Sequence, residues 1–205
     1  MTSARVKICG VTRLEDALLA ARLGADAIGF NLWPGSKRHV PPDAVRAIVD
    51  RLPPFVTAVG IFVDQRAAEV LALAAHTGIA AVQLHGDESP AECSGYPLPV
   101  LKAVRVSGPA SLAALDRYRV RAFVLDAPSP GFGGSGSTFD WSLARAAAER
   151  TTVVLAGGLT PENVADAIRA VRPWAVDVAS GVEAMPGVKD PEKLARFIAR
   201  AKEAA

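Results

Sequence analysis

Short apolar runs alternate with longer amphipathic stretches along the chain. The runs are Val6-Lys7-Ile8-Cys9, Ala27-Ile28-Gly29-Phe30, Val56 to Phe62, Ala81-Val82-Gln83-Leu84-His85, Val100 to Val104, Ala122 to Leu125, Thr152 to Leu155 and Ala175 to Val178. Each is short and rich in Val, Ile, Leu or Phe, the signature of a buried strand. The stretches between them carry helix signals. Leu14 to Leu23 stops at Gly24, and Ala67 to His76 stops at Gly78. Pro42 to Leu52 opens on a proline and is followed by Pro53-Pro54. Thr160 as N-cap and Pro161 at the first helical position predict a helix running to Val171. Asp190-Pro191-Glu192 predicts a last helix to Lys202. The stretches after the fourth, fifth and sixth runs are shorter and less periodic.

Strict strand–helix alternation predicts a parallel sheet covered by helices. Eight repeats fit one closed (β/α)₈ barrel, with an open doubly wound sheet as the alternative. Spread over 205 residues, eight units average about 26 residues, short for this fold. The loops must then be tight. No linker divides the chain, so residues 1–205 are expected to form a single catalytic domain.

Composition narrows the function. Half the residues are hydrophobic, 21% are charged and the formal net charge is +2. Lys and Arg are scattered, which argues against a nucleic-acid surface. No apolar run approaches the ~18 residues of a membrane span, and Arg5 and Lys7 interrupt any leader-like stretch at the start. Cys9 and Cys93 are too few for a disulfide scaffold, so a reducing compartment, the cytoplasm, is expected. The partner expected is a small molecule, with no nucleic acid and no membrane, and the assembly a monomer or homodimer.

Gly131-Phe132-Gly133-Gly134-Ser135-Gly136 matches G-x-G-x-x-G, but its context is wrong for a dinucleotide. It follows the sixth strand rather than the first, and Thr138-Phe139-Asp140-Trp141 separates it from the next helix. A plain loop, or a mobile one over a barrel mouth, fits better. Ala156-Gly157-Gly158-Leu159 and Ala179-Ser180-Gly181-Val182-Glu183 follow the seventh and eighth strands. In a barrel these two loops frequently bind phosphate through backbone N–H groups. Gly157, Gly158, Ser180 and Gly181 are therefore phosphate-binding candidates, against the blander reading of two tight turns.

Barrel chemistry sits at the C-terminal ends of strands. Those ends carry Cys9, Ser36-Lys37-Arg38, His85 and Asp126. Alternation puts Lys7 with Cys9, Gln83 with His85, and Val124 with Asp126 on inward faces. Cys9 reads equally well as a reactive or an inert buried thiol, and Cys93 as structural. Asp126 after Phe123-Val124-Leu125 needs a use or a partner. His85 reads as a ligand, an acid or a satisfied polar group. Lys7 is expected to pair with Asp177 across the closure of the barrel, since an unpaired buried ammonium is costly. His39, His76 and His85 lack metal-ligand spacing, so no metal is expected. G-x-S-x-G is absent.

The motifs carry a resemblance. Lys7-Ile8-Cys9-Gly10 with Thr12, Asp16-Ala17 and Gly24-Ala25-Asp26-Ala27-Ile28-Gly29-Phe30 resembles the opening of the phosphoribosylanthranilate isomerase family. Ser36-Lys37-Arg38 with Val40, Gln83-Leu84-His85-Gly86, the Asp126 strand and Gly134-Ser135-Gly136 with Phe139-Asp140-Trp141 follow in order. Ala156-Gly157-Gly158-Leu159, then Ser180-Gly181-Val182-Glu183 with Pro186-Gly187-Lys189-Asp190, complete it. The set spans Lys7 to Asp190. Three positions depart from the family pattern: Ser137 where Lys is usual, Ala179 where Ser is usual, and Gly35-Ser36-Lys37 where proline is common after the serine.

The resemblance implies an Amadori rearrangement of N-(5-phosphoribosyl)anthranilate without a cofactor. It implies Cys9 as base, Asp126 as acid and Arg38 as the group that holds the anthranilate carboxylate, with His85 a further substrate-binding candidate. A thiol of reference pKa ~8.5 would have to start as thiolate and a carboxyl of reference pKa ~3.9 as acid. Other readings are a sugar-phosphate epimerase or the related histidine-pathway isomerase, where carboxylates are expected at both key strand ends. A non-enzymatic barrel binding a phosphometabolite or a protein is the third.

Overall fold

The computed structural model describes residues 4–127 and 139–204. The eight expected strands are β1 (Arg5–Ile8), β2 (Ala27–Asn31), β3 (Thr57–Phe62), β4 (Ala81–Leu84), β5 (Val100–Arg105), β6 (Ala122–Asp126), β7 (Val153–Leu155) and β8 (Ala175–Val178). All pair in parallel with their sequence neighbours, and β8 returns to β1, closing the barrel. Closure sets Lys7 opposite Asp177. A closed barrel leaves no open sheet edge, so the doubly wound alternative is excluded.

Helices α1 (Leu14–Arg22), α2 (Pro42–Val49) and α3 (Ala67–Thr77) follow the first three strands as their patterns predict. The arc after β4 differs. Among the described residues no helix stands between β4 and β5, and β5 is followed only by the four-residue α4 (Pro109–Leu112) and a 3₁₀ turn. A buried ion pair stands on the outer face of β5, against the segment that follows β4: Lys102 Nζ lies 2.8 Å from Glu88 Oε2 and donates to the Gly86 carbonyl at 2.7 Å. Helices α5 (Trp141–Ala148), α6 (Val164–Val171) and α7 (Pro191–Glu203) complete the outer layer. A small hairpin, β9 (Glu183–Met185) and β10 (Val188–Lys189), sits between β8 and α7.

The caps follow the sequence with one correction. Asp190 caps α7, its carboxylate accepting from the N–H groups of Glu192 and Lys193. Thr160 does not cap α6. Its hydroxyl accepts from the Glu162 N–H in a turn, and the helix begins at Val164 after Asn163. The Asn163 side chain holds that turn, accepting from the Thr160 N–H and donating to the Gly158 carbonyl.

Apolar burial falls in two places. A large cluster lies between sheet and helices and includes Ile8, Phe30, Phe62, Leu84, Leu125, Leu155 and Phe197. Each such side chain contributes roughly 1.5–3 kcal/mol on burial. A smaller cluster fills the barrel with Ala103, Ala122, Val124, Val154, Ala156 and Ala175. Small inward side chains leave room for the polar Lys7, Gln83 and Asp177, all buried. The G-x-G-x-x-G stretch Gly131 to Gly136, with Ser137, lies outside the described residues.

Candidate active site

At the C-terminal mouth a single cavity is lined by Cys9, Arg38, His85, Asp126, Gly157, Gly158, Ser180 and Gly181. The eight site residues expected from sequence thus meet at one place. Asn31, Trp33, Ile61 and Val63 also line it. These four were not singled out by sequence reasoning. Asn31 continues the inward alternation of β2 and was open to recognition on that ground.

Cys9 stands one residue beyond β1, where its N–H still donates to the Val178 carbonyl at 2.8 Å. The strand ladder therefore fixes its backbone. Gly29, inward on β2, makes room for the thiol: a Cβ there would lie 3.1 Å from Cys9 Sγ. Below Cys9, Lys7 Nζ lies 2.9 Å from Asp177 Oδ2, with both side chains buried. This is the expected pair. Burial works against the Lys7 ammonium, but Asp177, and beside it Cys9, hold its pKa above the ordinary lysine value. Burial pushes the Cys9 thiol up, opposed by the nearby ammonium groups of Lys7 and Lys189. Cys93, by contrast, is buried away from the mouth, and burial pushes its thiol up to about 11. It is structural.

Asp126 ends β6. Its Oδ1 accepts from the Ala127 N–H at 2.8 Å, which fixes the plane of the carboxyl. Its Oδ2 lies 3.5 Å from His85 Nε2, beyond hydrogen-bond length. Gln83 Nε2 meets His85 Nδ1 at 2.9 Å. With the Gln83 amide donating, the His85 proton sits on Nε2, a buried atom beside Asp126 with no hydrogen-bond partner among the described residues.

Gly157 and Gly158 both adopt positive φ, +79° and +63°. A Cβ at Gly157 would lie 2.4 Å from the Ala127 nitrogen, and one at Gly181 only 1.9 Å from the Leu159 carbonyl oxygen. The loops after β7 and β8 therefore interlock and admit no side chain at these points. Among the described residues, the N–H groups of Gly157, Gly158, Ser180 and Gly181 donate to no acceptor. Four unused donors at adjoining turns suit an anion.

Arg38 reaches the mouth from the loop after β2. Its Nε and Nη2 pair with Glu183 at 2.8 and 2.7 Å. Those bonds with Glu183 outweigh burial and hold the guanidinium above its ordinary pKa. Burial pushes the Glu183 carboxyl up, but Arg38 and Lys189 together bring it below the usual carboxylate value. Lys189 is fully buried, which lowers its pKa although Glu183 works the other way. Sequence reading placed Glu183 and Lys189 only inside matched motifs, with no role. Among the described residues no cluster of His, Cys, Asp and Glu could hold a metal ion, and no helix is long and apolar enough to cross a membrane.

Set beside known proteins, residues 6–200 match the family described as "PRAI: N-(5'phosphoribosyl)anthranilate (PRA) isomerase". A relative from Geobacter sp. (strain M21), an N-(5'-phosphoribosyl)anthranilate isomerase, is 54% identical over 200 residues, 97% of this chain and 98% of that one. The crystal structure of phosphoribosyl anthranilate isomerase from Thermotoga maritima is 48% identical and superposes with a TM-score of 0.93 over 98% of this chain and 99% of that one. Another crystal structure, of an isomerase in complex with reduced 1-(o-carboxyphenylamino)-1-deoxyribulose 5-phosphate, is 45% identical with a TM-score of 0.89, covering 98% and 99%.

Proposed function

The chain belongs to the N-(5'-phosphoribosyl)anthranilate isomerase family, and from that premise we propose which of its residues carry the reaction. It is an isomerase of tryptophan biosynthesis that catalyses the Amadori rearrangement of N-(5-phosphoribosyl)anthranilate to 1-(2-carboxyphenylamino)-1-deoxyribulose 5-phosphate. The observation that carries the residue assignment is the convergence of acid, thiol, guanidinium and two anion-binding turns on one mouth.

The substrate phosphate sits on the N–H groups of Gly157, Gly158, Ser180 and Gly181. Its anthranilate carboxylate meets the edge of Arg38 that Glu183 leaves unused. The ribose is then held between Asp126 on one side and Cys9 on the other, because β7 and β8 lie between β6 and β1. Asp126 gives its proton to the furanose oxygen as the ring opens to an iminium. Cys9, as thiolate, removes the proton from the adjacent carbon, and the enol-amine tautomerises to the ketone. Protons alone balance this sequence, so it invokes no cofactor. His85, oriented by Gln83, contacts the substrate beside Asp126. A working Cys9 thiol favours a reducing compartment, and we place the enzyme in the cytoplasm.

Purified protein added to freshly made phosphoribosylanthranilate is expected to quench its fluorescence catalytically, with no metal or nicotinamide supplied. A flat trace from folded protein would sink the reading.

For assembly, one feature favours two copies over one. Phe55 is 95% exposed at the N-terminal end of the barrel. It rims a hollow lined by Val6, Ala27, Val59, Ala81, Leu101 and Trp174. A protruding ring and an apolar hollow on one face are self-complementary under a two-fold axis. We infer a homodimer through this face. Sedimentation should give a dimer for the parent and a monomer for Phe55→Asp, and a parent that is monomeric at micromolar concentration would count against it.

A further inference from the structure

Two charged residues behind the mouth, Glu183 and Lys189, have no step in the reaction and are almost wholly buried. We propose that Glu183, backed by Lys189, is a positioning residue that sets Arg38 for the substrate's carboxylate. This rests on the assignment of Arg38 to that carboxylate.

The geometry is specific. Glu183 takes the Nε–Nη2 edge of Arg38 in two parallel bonds, 2.8 and 2.7 Å. Bidentate pairing fixes both the position and the plane of a guanidinium. The opposite edge, Nη1 and the second Nη2 proton, is left for a ligand. Gly10 lets the stem lie flat on the backbone: a Cβ there would stand 2.4 Å from Arg38 Cδ.

A carboxylate on a guanidinium would ordinarily cancel the charge a substrate anion needs. Lys189 removes that difficulty. Its Nζ lies 3.0 Å from Glu183 Oε1, 2.6 Å from the Cys9 carbonyl oxygen and 3.2 Å from the Ala179 carbonyl oxygen. Three acceptors match the three donors of an ammonium, whereas a neutral amine could serve only two. Two cations and one anion leave the cluster one positive charge, and only Arg38 lines the cavity. Glu183 cannot itself serve as acid or base. Its Oε1 takes Arg38, Lys189 and the Gly187 N–H, and its Oε2 takes Arg38. The same ammonium holds the carbonyls of Cys9 and Ala179, so the base's strand end and the start of the phosphate turn share one anchor with Arg38.

The test is a cycle of E183Q, R38M and the double variant in the full chain. Each is measured for kcat and KM, for affinity toward the reduced product analogue, and for affinity toward inorganic phosphate. Glu183→Gln is expected to raise KM and weaken the analogue about 10- to 100-fold, the range for a lost charge-assisted bond. Its kcat should stay within about threefold and its phosphate affinity should be unchanged. In the R38M background the same change should add nothing, an outcome that a merely structural role would not give. An E183Q enzyme with parental KM, or one whose penalty persists undiminished beside R38M, overturns the proposal. An R38M enzyme with parental KM overturns instead the assignment of Arg38. Should E183Q fail to fold, Glu183→Asp, one methylene short with its charge kept, is read by the same criteria.

Discussion

Cys9→Ser is expected to melt close to the parent and to lose about 10²–10⁴-fold of turnover, the usual range for a removed proton-transfer group. The backbone at this position is held by its own N–H and carbonyl, the first to Val178 and the second to Lys189. Serine keeps both bonds and nearly the same volume. What it loses is a thiol proton, which leaves far more readily than the proton of a hydroxyl. The ammonium groups of Lys7 and Lys189 oppose the burial that pushes the thiol up, and a hydroxyl gains far too little from them to ionise. Asp126→Asn should behave alike, since the amide still occupies the space beside Ala127 and Gly157 but has no acidic proton to give. Steady-state fluorescence gives kcat and KM, and circular dichroism checks the fold. A fully active Cys9→Ser would make the thiol a packing group and leave His85 as the next base to test. Losses confined to KM would mean that both residues only bind.

The largest expected loss of stability is at Lys7→Met. The change leaves the Asp177 carboxylate buried without its partner, and its Oδ1 already has no hydrogen-bond partner among the described residues. Breaking one side of a buried pair costs about 3–5 kcal/mol. For a chain of this length that is a fall in Tm of roughly 10 °C. The pH dependence has a definite sign. Lys7 is held above its ordinary 10.5 in the folded state. Its stabilisation is therefore fully present below that value and is lost only as pH rises through the higher folded pKa. The gap between parent and variant should be flat from about pH 7 to about pH 9 and narrow only in stronger alkali. A gap that widens with pH, or none at neutrality, would contradict the pairing.

The fold was legible because every strand is a short apolar run flanked by turn residues, and strict alternation leaves few architectures. Lys7–Asp177 was legible for a related reason. Once β8 is taken to neighbour β1, two inward charges of opposite sign have to meet. The arc from β4 to β5 was less so. Its outer face is held by Lys102 and Glu88, a pairing that no helical period announces. Thr160 misled because Thr-Pro-Glu-Asn satisfies the capping pattern while forming a turn of its own, with the helix starting later. Glu183 and Lys189 were visible as motif letters but not as a pair. Their meaning depends on Arg38, 145 residues away in the chain, and no local pattern encodes that distance.

Those separations bear on when the site comes into being during synthesis. The bonds that assemble it join the two extremes of the chain: Lys7 to Asp177 over 170 residues, Lys189 to Asp16 over 173 and Lys189 to Cys9 over 180. Contacts of such span are closed late, after the loop entropy between their ends has been overcome. A chain still emerging from the ribosome already carries Cys9, Arg38 and His85, which follow β1, β2 and β4. It cannot hold Cys9 and Arg38 in place, because Val178, Glu183 and Lys189, which do so, are among the last to be made. Closure of the barrel and acquisition of the site are therefore one event, and a nascent or truncated chain has no partly active form to pass through.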